Sequence, residues 1–234
     1  MRITLIVLLL AVLAAAPARA QDAPEAWLIP FAAAYQPQVS GFNSVFKSHD
    51  MPEARSRHFG WGLELRSLTG SFLVGPLFFR TTDDVETEGY QLRTDATGIF
   101  GELGVKLAPA RFLTIVPLLG LGGLSQSFSL RATSDSVNFD TLLSGSPQVV
   151  NISPGMKLAG MGALELGLIA NTKAGRFGIT LRGGYIYSPF TPTWRLSNGA
   201  RVTGPEVKDS RLGGPFFSVG LLMMPEAQTA TTSQ

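Results

Sequence analysis

The sequence predicts an all-β fold: an eight-stranded antiparallel up-and-down transmembrane β-barrel. Three observations predict it. The stretch 57–71 alternates Phe59, Trp61, Leu63 and Leu65 on one face with Gly60, Gly62, Glu64 and Arg66 on the other. Strand side chains point alternately to opposite faces, so this strand shows large apolar groups to one side and glycine with opposite charges to the other. Lipid outside and a narrow polar lumen inside produce that pattern. Second, hydropathy is positive and charge is low at 15%, yet no helix-length apolar run follows residue 20. Inside a bilayer only helices and closed barrels satisfy every backbone polar group. Third, the segments between strands alternate long and short, as barrels with short periplasmic turns and longer external loops do.

In chain order, residues 1–20 read as a signal peptide, expected to be removed. Arg2 supplies a positive start, an apolar run follows, and Ala18-Arg19-Ala20 is a small-residue cleavage site. The barrel domain is expected over 21–234. Strand one is predicted at 27–36, with Trp27, Ile29, Phe31, Ala33 and Tyr35 on one face. A polar loop, 37–56, follows. Strand two is the organising stretch, closed by a Thr69-Gly70 hairpin turn.

Strand three is predicted at 71–81 with both faces apolar, so its facing is open. The acidic segment 82–95 reads as a loop. Strand four, 98–107, sets Ile99, Leu103, Val105 and Leu107 against Phe100, Glu102, Gly104 and Lys106. A turn at 108–110 leads to strand five, 112–124, whose facing is also open. Pro117 predicts an irregularity there, because it cannot donate to a ladder. The longest loop is 125–156, and residues 126–130 read as a possible extension of the strand.

Strand six, 158–171, sets Leu164, Leu166 and Leu168 against Ala163, Glu165 and Gly167. After a tight turn at 172–175, strand seven sets Phe177, Ile179, Leu181, Gly183, Tyr185 and Tyr187 against Gly178, Thr180, Arg182, Gly184 and Ser188. A loop at 189–211 precedes strand eight, 215–224, which presents Phe217, Val219, Leu221 and Met223 outward. The strands thus run over about 27–224, and 226–234 is a polar tail expected to be disordered.

Two aromatic girdles follow from these facings: Trp27, Phe72 and Phe177 at the inner rim, and Tyr35, Phe59, Trp61, Tyr185, Tyr187 and Phe217 at the outer rim. The inner faces collect Glu64, Arg66, Glu102, Lys106, Glu165 and Arg182. Buried charges are costly unless paired, so an internal salt-bridge network is expected. Structural filling of the lumen is the plainer role for it, and a gated polar conduit the functional one.

On this pattern the chain resembles the small eight-stranded outer-membrane barrels of Gram-negative bacteria, the OmpA/OmpX-like type. The resemblance spans residues 27–224 and rests on signal, alternation and loop rhythm. It implies a place in the cell outer membrane, contact with outer-membrane lipid and lipopolysaccharide, and loops open to an extracellular or envelope protein partner. Such barrels often close on an aromatic residue, whereas this last strand ends Leu222-Met223-Met224.

Composition and motifs exclude other classes. Once Arg2 and Arg19 leave with the signal, 17 cations balance 17 anions, so there is no electrostatic case for nucleic acid. There is no cysteine, hence no disulfide or Cys-ligated metal. Ser48-His49-Asp50 holds triad residue types, but three adjacent residues rarely converge as a triad. Barrels that deacylate lipid A use a late His-x-Ser arrangement, and the histidines here, His49 and His58, are early. The sequence therefore predicts no catalytic site, no cofactor and no enzyme. Asp83, Asp84, Glu86 and Glu88 form a weak candidate for a hard cation; a solvated acidic loop is the plainer reading. Asn151-Ile152-Ser153 fits a glycosylation sequon that arises often by chance.

The expected function is a non-enzymatic integral outer-membrane barrel with a side-chain-filled polar lumen and four long external loops, serving adhesion, partner binding or envelope support. The alternative is passage of small hydrophobic compounds, should Leu77, Phe79, Val116 and Leu118 make the lumen oily. A lipid A-modifying enzyme and a soluble lipocalin-like barrel rank below both.

Overall fold

The structure is a computed structural model and describes residues 25–87, 89–132, 149–172, 175–203 and 210–224. The expected signal peptide, the tight turn at 173–174 and the C-terminal tail lie outside the described residues.

Eight long strands close a barrel: β1 (Glu25–Tyr35), β2 (His58–Thr69), β3 (Phe72–Thr87), β4 (Tyr90–Val105), β6 (Leu113–Ala132), β8 (Lys157–Thr172), β9 (Gly175–Tyr187) and β11 (Gly213–Met224). Each pairs antiparallel with the next, and β11 returns to β1 through Ala34↔Phe217 and its neighbours. Partners followed once round the barrel give the stagger. Asp95, Thr82, Phe59, Ala34, Phe217, Gly183, Leu164 and Pro117 lie in one row. Pro117 sits next to the Leu118↔Gly104 pair, level with Val105. The row therefore comes back to β4 ten residues from where it began, the tilt that closes a barrel of this size.

Four short elements complete the described chain: α1 (Ser40–Ser48), β5 (Leu107–Ala110), β7 (Val149–Ser153) and β10 (Arg195–Leu196). Residues 37–56, expected as a loop, thus contain a helix. Phe42 and Phe46, four apart on one face, are buried. Asn43 clips the helix to the chain beyond it, its amide donating to the Ala54 carbonyl at 2.8 Å and accepting from the Ala54 N–H at 2.9 Å.

The acidic segment 82–95 is mostly strand, not loop. β3 and β4 pair without a break from Phe72↔Val105 to Thr87↔Tyr90, with Gly89 at φ 87 in the hairpin. A polar strand satisfies its backbone as well as an apolar one once it has left the membrane, so polarity marked the membrane boundary rather than the strand end. β6 continues with them to Ala132, β7 pairs with β6, and β10 pairs with β7. Together they build a five-stranded wing beyond the barrel mouth.

The irregularity expected at Pro117 lies elsewhere. The β6–β8 register runs straight through Pro117↔Leu164, and β4 stops pairing with β6 one residue before it, at Gly104↔Leu118. The register shift falls in β5, between Leu107 and Ala110.

Candidate functional site

The outer surface is an apolar belt. Leu63, Leu65, Leu103, Leu119, Leu121, Leu164, Leu166, Leu168, Ile179 and Leu221 are all exposed. Phe59, Trp61, Phe72, Phe177, Tyr185, Tyr187 and Phe217 are exposed as well, with Phe59 the most open at 68%. So large an apolar surface is stable only against lipid or another apolar partner.

Trp27 and Tyr35 are not part of the girdles. Both are 1% exposed and point into the lumen. Both faces of β1 are apolar, so alternation alone could not orient it; the neighbouring strand does. Trp27 lies opposite Arg66 and Ile29 opposite Glu64, and directly opposed cross-strand residues share a face. The outward side of β1 is Ala26, Leu28, Pro30, Ala32 and Ala34.

The lumen is filled in three layers. At the short-turn end, Trp27, Ile29, Leu68, Leu73, Val116, Leu118 and Leu222 form one apolar cluster. At the long-loop end a larger cluster contains Tyr35, Leu77, Phe79, Phe100, Met161 and Ile186. It continues up to α1, where Phe42 packs on Phe128 and Trp194 with ring centroids 4.4 and 4.6 Å apart. Leu77, Phe79, Val116 and Leu118, whose facing the sequence left open, all point inward and are packed into these clusters.

Between the two oily layers lies a charged one. Glu64 and Arg66 come from β2, Glu102 from β4, Glu165 from β8 and Arg182 from β9; none is more than 3% exposed. Arg66 holds Glu165 through two hydrogen bonds, Nη1 to Oε1 at 2.7 Å and Nη2 to Oε2 at 2.6 Å, the bidentate arrangement that a planar guanidinium favours. Arg66 also donates to Glu64. Arg182 donates to Glu165 from Nε at 3.1 Å and Nη2 at 2.8 Å, to Glu102 at 3.0 Å, and to Glu64. The two arginines therefore bind three carboxylates.

Lys106, the sixth residue expected here, does not join them. It stands one residue past the end of β4, with its ammonium 5.2 Å from the centre of the Trp27 ring. Burial lowers its pKa, while Glu25 raises it and Arg176 lowers it. A strand at the barrel end leaves its inward residue at the mouth rather than at mid-depth.

The remaining sequence candidates do not gather into a site. On β3, Asp83 is held by Arg55 at 3.3 Å, whereas Asp84 and Glu86 take the opposite face by alternation; Glu88 lies outside the described residues. Ser48 Oγ donates to the Val45 carbonyl at 2.8 Å, and His49 Nδ1 lies 3.0 Å from that carbonyl, so both finish the last turn of α1 on an exposed surface. His58 is buried, its Nε2 3.2 Å from the Arg55 carbonyl. Sequence reasoning did not find the wing cluster of Arg80, Thr82, Arg93 and Asp95. Asp95 accepts from Thr82 at 2.8 Å, from Arg80 at 3.0 Å and from Arg93 at 3.0 Å. Alternate spacing of Arg93 and Asp95 in a strand was its one sequence signal.

No protein-family model matches the chain, and comparison with characterised proteins by sequence finds no match. Solved structures do match in fold. A major outer membrane protein from Thermus thermophilus is similar at a TM-score of 0.51 and 12% identity, over 85% of this chain and 98% of that one. The chain has the fold of a small outer-membrane β-barrel. The attachment invasion locus protein Ail of Yersinia pestis is also similar, at a TM-score of 0.48 and 11% identity, over 87% of this chain and 99% of that one. Neisserial surface protein A aligns at a TM-score of 0.45 and 11% identity, over 85% and 97%.

Proposed function

We propose that the chain is a non-enzymatic, sealed barrel of the outer membrane, and that it works through the surface its long loops build outside. The observation that carries this reading is the contrast between lumen and rim. Apolar, charged and apolar layers fill the lumen in succession, while β3, β4 and β6 run 16, 16 and 20 residues. About ten residues span the membrane in a tilted strand. The surplus forms the wing, which is chain spent on an external surface for adhesion, partner binding or envelope support. The last described loop adds a cleft of about 280 Å³ lined by Thr191, Thr193, Trp194, Arg201 and Thr203.

The experiment is a paired assay on the barrel purified from the outer membrane. In planar bilayers it should pass no ions above the lipid background. Cells displaying a variant lacking 127–153 should keep a folded barrel but lose attachment to whatever surface the parent binds. Steady conductance, or attachment unaffected by the deletion, would overturn the reading.

One observation favours a second reading, lateral passage of small hydrophobic compounds. Leu77, Phe79, Val116 and Leu118 do face inward. Their tight packing against other buried residues argues against an open path. Uptake of an apolar dye into vesicles holding the barrel, if faster than into empty ones, would favour passage.

A further inference from the structure

The charged layer does not balance. Three carboxylates, Glu64, Glu102 and Glu165, face two guanidiniums, Arg66 and Arg182, and all five are buried. Every polar atom of the two arginines that reaches this layer goes to a carboxylate. One carboxylate oxygen, Glu102 Oε2, is buried and has no hydrogen-bond partner among the described residues. The other charges facing Glu102 are Glu64 and Arg66 from β2, Glu165 from β8 and Arg182 from β9. The remaining strands bring neutral groups inward, among them Ile29, Leu77, Leu118 and Ser218. Lys106, the next charge along that face just past the end of β4, lies over Trp27.

A buried, uncompensated negative charge is far more costly than a neutral acid. Carboxylates crowded into one low-dielectric site settle this by sharing a proton, which then belongs to the pair. We propose that Glu102 is a proton-binding site: it is the neutral acid at neutral pH, and its O–H, on the oxygen that lacks a partner, points to Glu64. The layer then holds two cations, two anions and one acid, and its charge is zero. The proton is a structural ligand of the closed lumen. Loss of that proton leaves the charge uncompensated and loosens the barrel. This inference rests on the sealed-lumen reading above.

The test uses infrared spectroscopy on the purified full barrel in detergent. A protonated-carboxyl stretch that shifts in heavy water is expected at neutral pH, present in the parent and absent in Glu102→Gln. Gln is nearly isosteric with the neutral acid, so Glu102→Gln should keep the unfolding equilibrium within about twofold of the parent. Glu165→Gln, which strips both arginines of a charged partner, should lose roughly a hundredfold or more. No such band at neutral pH, a band that survives Glu102→Gln, or equal instability of the two variants would overturn the proposal. If Glu102→Gln does not fold, the parent decides alone. The thermal stability should decline as pH rises above the ordinary carboxyl range and level off at the pH where the band disappears, because a proton held only in the folded state stabilises it most below the unfolded-state pKa; absence of the band overturns the site. Conductance of the same sample is read separately, so an open lumen is recognised as failure of the sealed-barrel reading.

Discussion

Arg182 bears on more of the lumen than any other side chain, because one guanidinium meets Glu64, Glu102 and Glu165. Removing one partner of a buried ion pair leaves charge without compensation, a loss of about 3–5 kcal/mol. Arg182→Ala should fall in that range in detergent unfolding, while Arg182→Lys, a point charge without the planar fork, should recover only part. A loss below about 1 kcal/mol would mean the charges reach water after all. In the wing, outside the apolar belt, Asp95 gives a pH-dependent counterpart. Burial pushes its carboxyl up, but hydrogen bonds from Arg93, Arg80 and Thr82 pull it further down, leaving its pKa below the ordinary value. A depressed carboxylate adds stability that is present above its unfolded-state pKa and is lost as pH falls through the folded one. Protection from hydrogen exchange along β3 and β4 beyond Thr81, taken relative to the intrinsic rate at each pH, should therefore drop only in acid, below about pH 4. Asp95→Asn should show the lower protection at every pH.

Elements differ in how much of themselves they print in the sequence. β2 and β9 each carry charge on one face and aromatics on the other, so their facing was legible. Beyond Glu25 at its end, β1 carries neither charge nor polar alternation, and alternation alone sets Trp27 and Tyr35 outside where the register with β2 turns them in. The wing was illegible for another reason: residues 82–95 change from apolar to polar outward positions where the strand leaves the lipid, while its ladder continues unchanged. The five charged lumen residues were legible because each lies opposite an apolar outward neighbour in its own strand; Lys106 was not, since alternation gives the face but not the depth. One element-level test concerns strand contact. A Cβ on Gly75 would lie 1.8 Å from the Leu65 carbonyl oxygen of β2, and backbone cannot give way as a flexible side chain can. Gly75→Ala should cut the yield of refolded barrel severalfold. Gly162→Ala, where a Cβ meets nothing within 4 Å, should refold as the parent does.

For the whole molecule the layers lie in series along the lumen, so the proposed seal would be redundant. α1 closes the long-loop end, with Phe42 and Phe46 against Phe128 and Trp194, but neither the charged layer nor the Trp27 cluster depends on it. An ion crossing the barrel would have to displace both, and the lower cluster offers it no polar partner to replace lost water. Phe42→Ala should cost about 3 kcal/mol if its site cannot collapse, and it should loosen the cap. Deleting 40–48 outright should still leave a barrel that passes no ions in planar bilayers. Conductance that appears on that deletion alone would assign the seal to α1 and make the helix a plug. Conductance that appears only when Trp27→Ala and Arg182→Ala are both added to the deletion would show the layers closing the lumen independently, as their separate clusters imply.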